Sequence, residues 1–214
     1  STPIIGWRED IKEYTLDNLK NWYNKHYAPN NASIVIVGDV NPRDTYEAVK
    51  KHFNDIPAIE LSDPKIDVSL FNIGYRHLVI QKKPNDIDAV ILGYITPSLT
   101  VPFDSNDPFA LMLLNSIMGS ADASILQQEL VRDENLCCYV DTDYSPFTKG
   151  EELFIVSAVA NQEQNITDIQ DKIECIIERL KTDGVTEEQL TRAKVTIKAD
   201  KIFSMDSIET QANL

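Results

Sequence analysis

Glycine is scarce in this chain: seven residues among 214, no two of them closer than 19 positions. Nucleotide- and dinucleotide-binding loops need clustered glycines, because only then can backbone N–H groups close on phosphate. Neither loop can be written here. Cysteine is equally sparse. Cys137, Cys138 and Cys175 include no C-x-x-C pair for zinc or redox work, and adjacent cysteines do not easily bridge each other. Buried free thiols are therefore expected, and the redox compartment stays open. No apolar run approaches the roughly 18–20 residues of a membrane span. No charged-then-apolar leader opens the sequence, so any targeting peptide would lie outside it.

Positive charge is also in short supply. Twenty Lys and Arg face 34 Asp and Glu, a formal net charge of −14. Segments 1–60, 61–110 and 111–214 carry 9 acids with 7 bases, 6 with 4, and 19 with 9, so the acidity sits in the second half. Such a field repels a phosphate backbone, and no stretch clusters Lys and Arg with aromatics, which argues against nucleic acid as a partner. The plainest reading of the charge is a solvated surface. What the chain does have is ordinary for a globular protein: 43% apolar and 25% charged residues, enough to bury a core without disulfide or metal staples. The length suits one large domain or two small ones.

Periodicity organises the first sixty residues as helix, strand, helix. Thr15 is placed to cap a helix over 16–27, with Leu16, Leu19, Trp22, Tyr23 and Tyr27 on one face. Ala28-Pro29-Asn30-Asn31 breaks it. Ser33 to Val40 is β-branched without alternation, which predicts a strand covered on both faces. Pro42 opens a second helix through Tyr46, Val49 and Phe53. Residues 54–74 carry two prolines and no period, the one convincing linker. Strands are then expected over 75–82 and 89–96 around a Lys83-Pro84-Asn85-Asp86 turn. Helices follow over 108–118 and 123–132, and a hairpin from 136–144 and 152–160 around Pro146…Gly150. Isoleucines 166, 169, 173, 176 and 177 keep helical spacing up to Leu180, Gly184 stops that helix, and Thr186 with Gln189 opens the last. Strands in pairs and helices in pairs point to an α+β two-layer unit: a largely antiparallel sheet with helices packed on one face. Apolar positions persist to Leu214, so the natural chain is expected to continue.

Residue chemistry alone yields no active site. His26, His52 and His77 each stand without a second ligand at i+3 or i+4, and the first two sit where a cation suits a helix C-terminus. There is no G-x-S-x-G elbow, and no cysteine pairs with a histidine. Trp7, Trp22 and Tyr23 read as core or unit-packing aromatics.

Longer patterns go further. Pro3-Ile4-Ile5-Gly6-Trp7 is followed by Tyr27-Ala28-Pro29-Asn30-Asn31-Ala32 and then Val37-Gly38-Asp39-Val40. Asp107 to Gly119 followed by Ser124-Ile125-Leu126, then Leu130 to Tyr139 and Gly184 to Leu190, continue the likeness. Together these stretches resemble the pitrilysin/insulinase-type zinc peptidases over nearly the whole chain, which implies a processing-peptidase-like metallohydrolase fold. Members of that family are zinc endopeptidases of paired α+β halves, closing around a peptide or unfolded polypeptide, with the metal held by an inverted H-x-x-E-H motif and a further glutamate. This sequence has no such motif. The resemblance therefore implies that 1–58 is the tail of a preceding catalytic-type unit, 59–74 a linker and 75–214 a second, non-catalytic unit. Zinc would belong to the full-length protein, with its ligands outside this segment, and the segment alone is expected to be inactive.

In the family the non-catalytic half supplies an arginine and a tyrosine about seven positions apart that reach the substrate, and Arg132 and Tyr139 match that spacing. A plainer reading stays open, in which Arg132 pairs with a nearby acid and Tyr139 packs in the sheet. At the level of the whole protein two expectations stand. One is the non-catalytic region of a zinc metalloendopeptidase that helps enclose peptide. The other is an inactive paralogue subunit that binds peptides or supports a catalytic partner without metal. A second peptidase-like half or subunit is the implied partner, a homo-oligomer included, and the bacterial periplasm or cell envelope the implied setting.

Overall fold

The sheet forms from three segments after position 88, each carrying several β-branched or aromatic side chains. The computed structural model describes residues 5–61, 78–80, 87–100, 106–148 and 150–213. Among these, β1 (Ala89–Thr96), β2 (Cys137–Asp143) and β3 (Glu152–Ala160) make an antiparallel sheet in the order β1-β3-β2. The register pairs Ala89 with Val159 and Thr96 with Glu152 on one side of β3, and Val140 with Ala158 on the other. The α+β class and the antiparallel sheet expected from the sequence are what the structure has.

Helices α1 (Arg8–Lys12), α2 (Leu16–His26), α3 (Pro42–Phe53), α4 (Asp107–Met118), α5 (Ile166–Asp183), α6 (Glu187–Ser204) and α7 (Ile208–Ala212) account for most of the rest. Their ends obey local chemistry. The Thr15 hydroxyl accepts from Asn18 N–H (3.2 Å) and Asn41 Oδ1 from Arg43 N–H (3.0 Å). Thr186 and Gln189 form a reciprocal box, each side chain holding the other's backbone N–H (3.2 and 2.8 Å). Gly184, at φ +74°, ends α5.

Two compact units divide the chain: one from residues 1–76 with 205–214, the other from residues 77–204. The second holds the core. Its sheet buries one face, where Val140, Phe154, Val156 and Ala158 join Ile169, Ile173 and Ile176 of α5 with Met118, Leu126 and Leu130, while Val90 and Leu92 pack alongside. The far end of β1 is tied to the hairpin turn by hydrogen bonds. Tyr144 Oη donates to Pro97 O (2.6 Å), Ser98 Oγ to Gly150 O (2.5 Å), and Leu99 N–H to Pro146 O (2.8 Å).

The first unit differs from its sequence pattern. Residues 33–40 form no strand and join no ladder among the described residues, the chain bending at Gly38 and Asp39, and Ile34, Val35, Ile36 and Val40 are all exposed. A strand exists only when its N–H and C=O groups meet a partner, and no described segment supplies one. The aromatics expected in a core are exposed as well: Trp7, Trp22 (57%) and Tyr23. Ala28 is the one buried hydrophobic residue described in this unit. What orders its turn is polar: Asn30 Nδ2 donates to Ile59 O (2.9 Å) and Ile59 N–H to Asn30 Oδ1 (3.2 Å), a side-chain imitation of a peptide pair.

The strand expected over 75–82, the turn 83–86, His77 and most of the 59–74 linker lie outside the described residues; 78–80 are described and are not a strand. The helix expected over 123–132 is instead a π-helix, Gln127–Asp133. All three cysteines are free, as expected, but only Cys137 is buried; Cys138 and Cys175 are exposed. Among the described residues no helix is long and apolar enough to cross a membrane.

Gly119 is required by contact. A Cβ there would lie 2.8 Å from Thr142 Cβ and closer still to its Cγ2 and Oγ1. Thr142 cannot turn away, because its hydroxyl donates to Asn115 O (3.1 Å). Gly119→Ala is expected to destabilise the fold by about 1–3 kcal/mol, read as a lowered thermal midpoint. Burial, and secondarily Cys138, push the Cys137 thiol up to about 11 from 9.0. A raised folded-state pKa stabilises fully below pH 9 and is lost as pH rises towards 11. At pH 8 a thiol reagent should label Cys138 and Cys175 in the native chain, and Cys137 only on unfolding.

Candidate functional site

Arg132 lies in the last turn of the π-helix. Leu126 and Leu130, both fully buried, anchor this segment to the core, and the wider helix closes with Glu134 N–H donating to Glu129 O (3.1 Å). The nearest acids are already engaged. Glu129 is ion-paired with Arg179 of α5, and Glu134 with Lys172 of α5 (2.5 Å). These bonds raise the affinity of both cations for their protons. Asp133 accepts from Gln128 Nε2 (2.6 Å). Arg132 is thus exposed and has no ion-pair or hydrogen-bond partner among the described residues.

The chain then turns sharply. Asn135 adopts φ +52°, a left-handed conformation that asparagine tolerates. Asn161 Nδ2 holds it by donating to Asn135 O (2.8 Å) and Oδ1 (2.9 Å), and Asn161 N–H donates to Leu136 O (2.9 Å). Strand β2 enters the sheet with a register shift between Cys137 and Tyr139. The extra residue is Cys138, so Cys137 and Val140 both point into the core and Tyr139 is turned to the opposite face. Bulges re-aim side chains in this way.

That opposite face carries no helix among the described residues. Ile91 (72% exposed), Ile95, Leu153 and Tyr139 (51%) stand on it, with Ile155 and Val159 half-buried, and none belongs to the core cluster. Tyr139 Oη donates to Asp141 Oδ2 (3.2 Å). That hydrogen bond, with the charge of Asp141 second, raises the phenol above its usual value of 10.0, so Tyr139 presents a neutral hydroxyl. Arg132 can therefore offer five N–H donors and Tyr139 one O–H, which is chemistry for peptide carbonyls or a developing oxyanion.

The sequence named these two side chains through the family spacing. It gave no sign of the π-turn before Arg132 or of the bulge before Tyr139. Neither alters any local residue preference. Metal chemistry finds no footing: among the described residues no three His, Cys, Asp or Glu converge, and the residues present do not make a zinc site. Substituting Asp141→Asn should lower the Tyr139 ionisation towards about 10, followed by NMR of ring-labelled tyrosine.

The peptidase M16 inactive domain family matches residues 13–196. "Zinc protease PqqE" of Helicobacter pylori is 31% identical over 221 residues, covering 100% of this chain and 47% of that protein. The crystal structure of a protease from Helicobacter pylori superposes with a TM-score of 0.80 at 30% identity, over 98% of this chain and 50% of the other. The peptidase M16 inactive domain from Pseudomonas fluorescens shares the fold at 20% identity (TM-score 0.67, 90% of this chain and 45% of that one). The chain spans about half the length of the curated relatives it matches. It belongs to the peptidase M16 inactive domain family, the non-catalytic, C-terminal kind of domain found in zinc protease-like proteins.

Proposed function

We propose that this chain is the non-catalytic C-terminal region of a zinc metalloendopeptidase and that it helps enclose an extended peptide. The observation that carries the reading is the pair of side chains just described. Arg132 is left without an acid because its neighbours pair elsewhere, and Tyr139 is turned onto the helix-free face of the sheet. In this role Arg132 donates to carbonyls of the bound peptide. Tyr139, held neutral by Asp141, gives a proton-bearing donor to charge that develops on the substrate. An edge strand of the sheet can take the peptide as a further strand. Zinc in the full-length protein would be held by residues outside this segment, where it would supply Lewis-acid chemistry.

Residues 1–58 belong, in the same proposal, to the preceding unit of the longer protein, 59–74 link the two, and 75–214 form the second unit. The support is the exposed, unalternating run at 33–40 between two amphipathic helices, and relatives about twice as long as this chain. The partner surface is that other peptidase-like half.

The test uses the full-length protein and a fluorogenic peptide. Arg132→Ala and Tyr139→Phe should each lower kcat/KM by about 10²-fold, the scale of one lost transition-state donor, with zinc content and melting unchanged. Unchanged turnover in both variants would return these residues to a structural role. A full-length protein that cleaves only when mixed with a second subunit would instead favour the paralogue reading.

A further inference from the structure

A second feature lies away from Arg132 and Tyr139 and plays no part in the proposed peptide-facing role. A cleft of about 440 Å³ opens between the C-terminal end of α4, the turn that follows it, and the middle of α6. Ser116 lines it, is only 7% exposed, and has no hydrogen-bond partner among the described residues. Its hydroxyl opens onto the cleft, where it is free to meet a ligand atom.

The charged groups facing the cleft are of both signs. Asp122 and Asp200 line it with no ion pair among the described residues, and the carbonyl end of α4 adds negative potential. Together with the Ser116 hydroxyl they suit an ammonium group. Arg192 supplies the positive charge. Its one described partner is Glu188, at 3.3 Å on an exposed surface, a bond weak enough to yield to a better carboxylate. Gln189 spends its Oε1 on Thr186 N–H and keeps its NH2 to donate beside Arg192. A cleft of about 440 Å³ with an anion-binding arm and a cation-binding arm has room for a short zwitterionic peptide.

We propose that this cleft binds a short peptide with both termini free, its amino end towards Asp122, Asp200 and Ser116 and its carboxylate towards Arg192 and Gln189. The experiment titrates the isotope-labelled 214-residue chain with Ala-Ala, N-acetyl-Ala-Ala and Ala-Ala-amide, following backbone amide shifts. Ala-Ala should move the amides of 116–123 and 189–200, and bind about tenfold tighter than either capped form, the loss expected for one charge-assisted bond. Arg192→Gln should abolish the preference over the amide, and Asp200→Asn should reduce that over the acetylated form. Ser116→Ala should weaken Ala-Ala by about threefold or more without lowering the melting temperature, since the hydroxyl has no partner to lose in the free protein. No shift at millimolar peptide, shifts confined elsewhere, equal affinity for the three probes, or a Ser116→Ala chain that binds as well as the parent would each overturn the assignment.

Discussion

Ile169, Ile173 and Ile176, one row along α5 and each at most 1% exposed, close over Phe154, Val156 and Ala158 of the central strand. Burying each such side chain is worth about 1.5–3 kcal/mol relative to leaving it in water. Because the period of a strand is two, this contact also decides which residues of β3 face away, and through pairing with β1 and β2 it decides the same for the whole sheet. The helix-free face with Ile91, Ile95, Leu153 and Tyr139 is its complement. The same helix uses its polar side to hold Glu129 and Glu134 through Arg179 and Lys172, and so leaves Arg132 unpaired. One helix therefore sets both the core and the electrostatics of the candidate site.

The two units contrast in how they meet the demand to bury apolar surface. Residues 87–204 bury a core of their own and leave one face of the sheet bare among the described residues. Residues 5–61 bury no such core: α2 and α3 present apolar stripes, and the run 33–40 exposes β-branched side chains on both faces. Trp22, Tyr23, His26 and Tyr27 stack only on one another, with ring centroids 4.6–5.7 Å apart. Composition and pattern were right about the apolar character of these faces. A local pattern carries no information about what such a face meets.

Much of the fold was legible beforehand. Helix starts at Thr15, Pro42 and Thr186, the stop at Gly184 and the hairpin before and after Gly150 follow from local chemistry, and each appears where the sequence places it. The site was legible only as a spacing. Arg132 and Tyr139 are seven positions apart in the chain, but how each is presented depends on an extra residue in a helix turn and an extra residue in a strand. Both insertions are made tolerable by distant groups: Asn161 at the Asn135 turn, and the β3 register opposite Cys138. The Ser116 hydroxyl facing the cleft was invisible for the same reason, being polar in a helix whose neighbours were unknown.

The sequence by itself determined the scarcity of glycine loops and ligand clusters, the two periods, the caps and the acid-rich second half, because each of these rests on residues within a few positions of one another. Tertiary structure decided which face of the sheet is covered, which acids are spent on α5, and where Tyr139 points. Those outcomes rest on the pairing of segments tens of residues apart, where the energy of burying one face outweighs any local preference for the other.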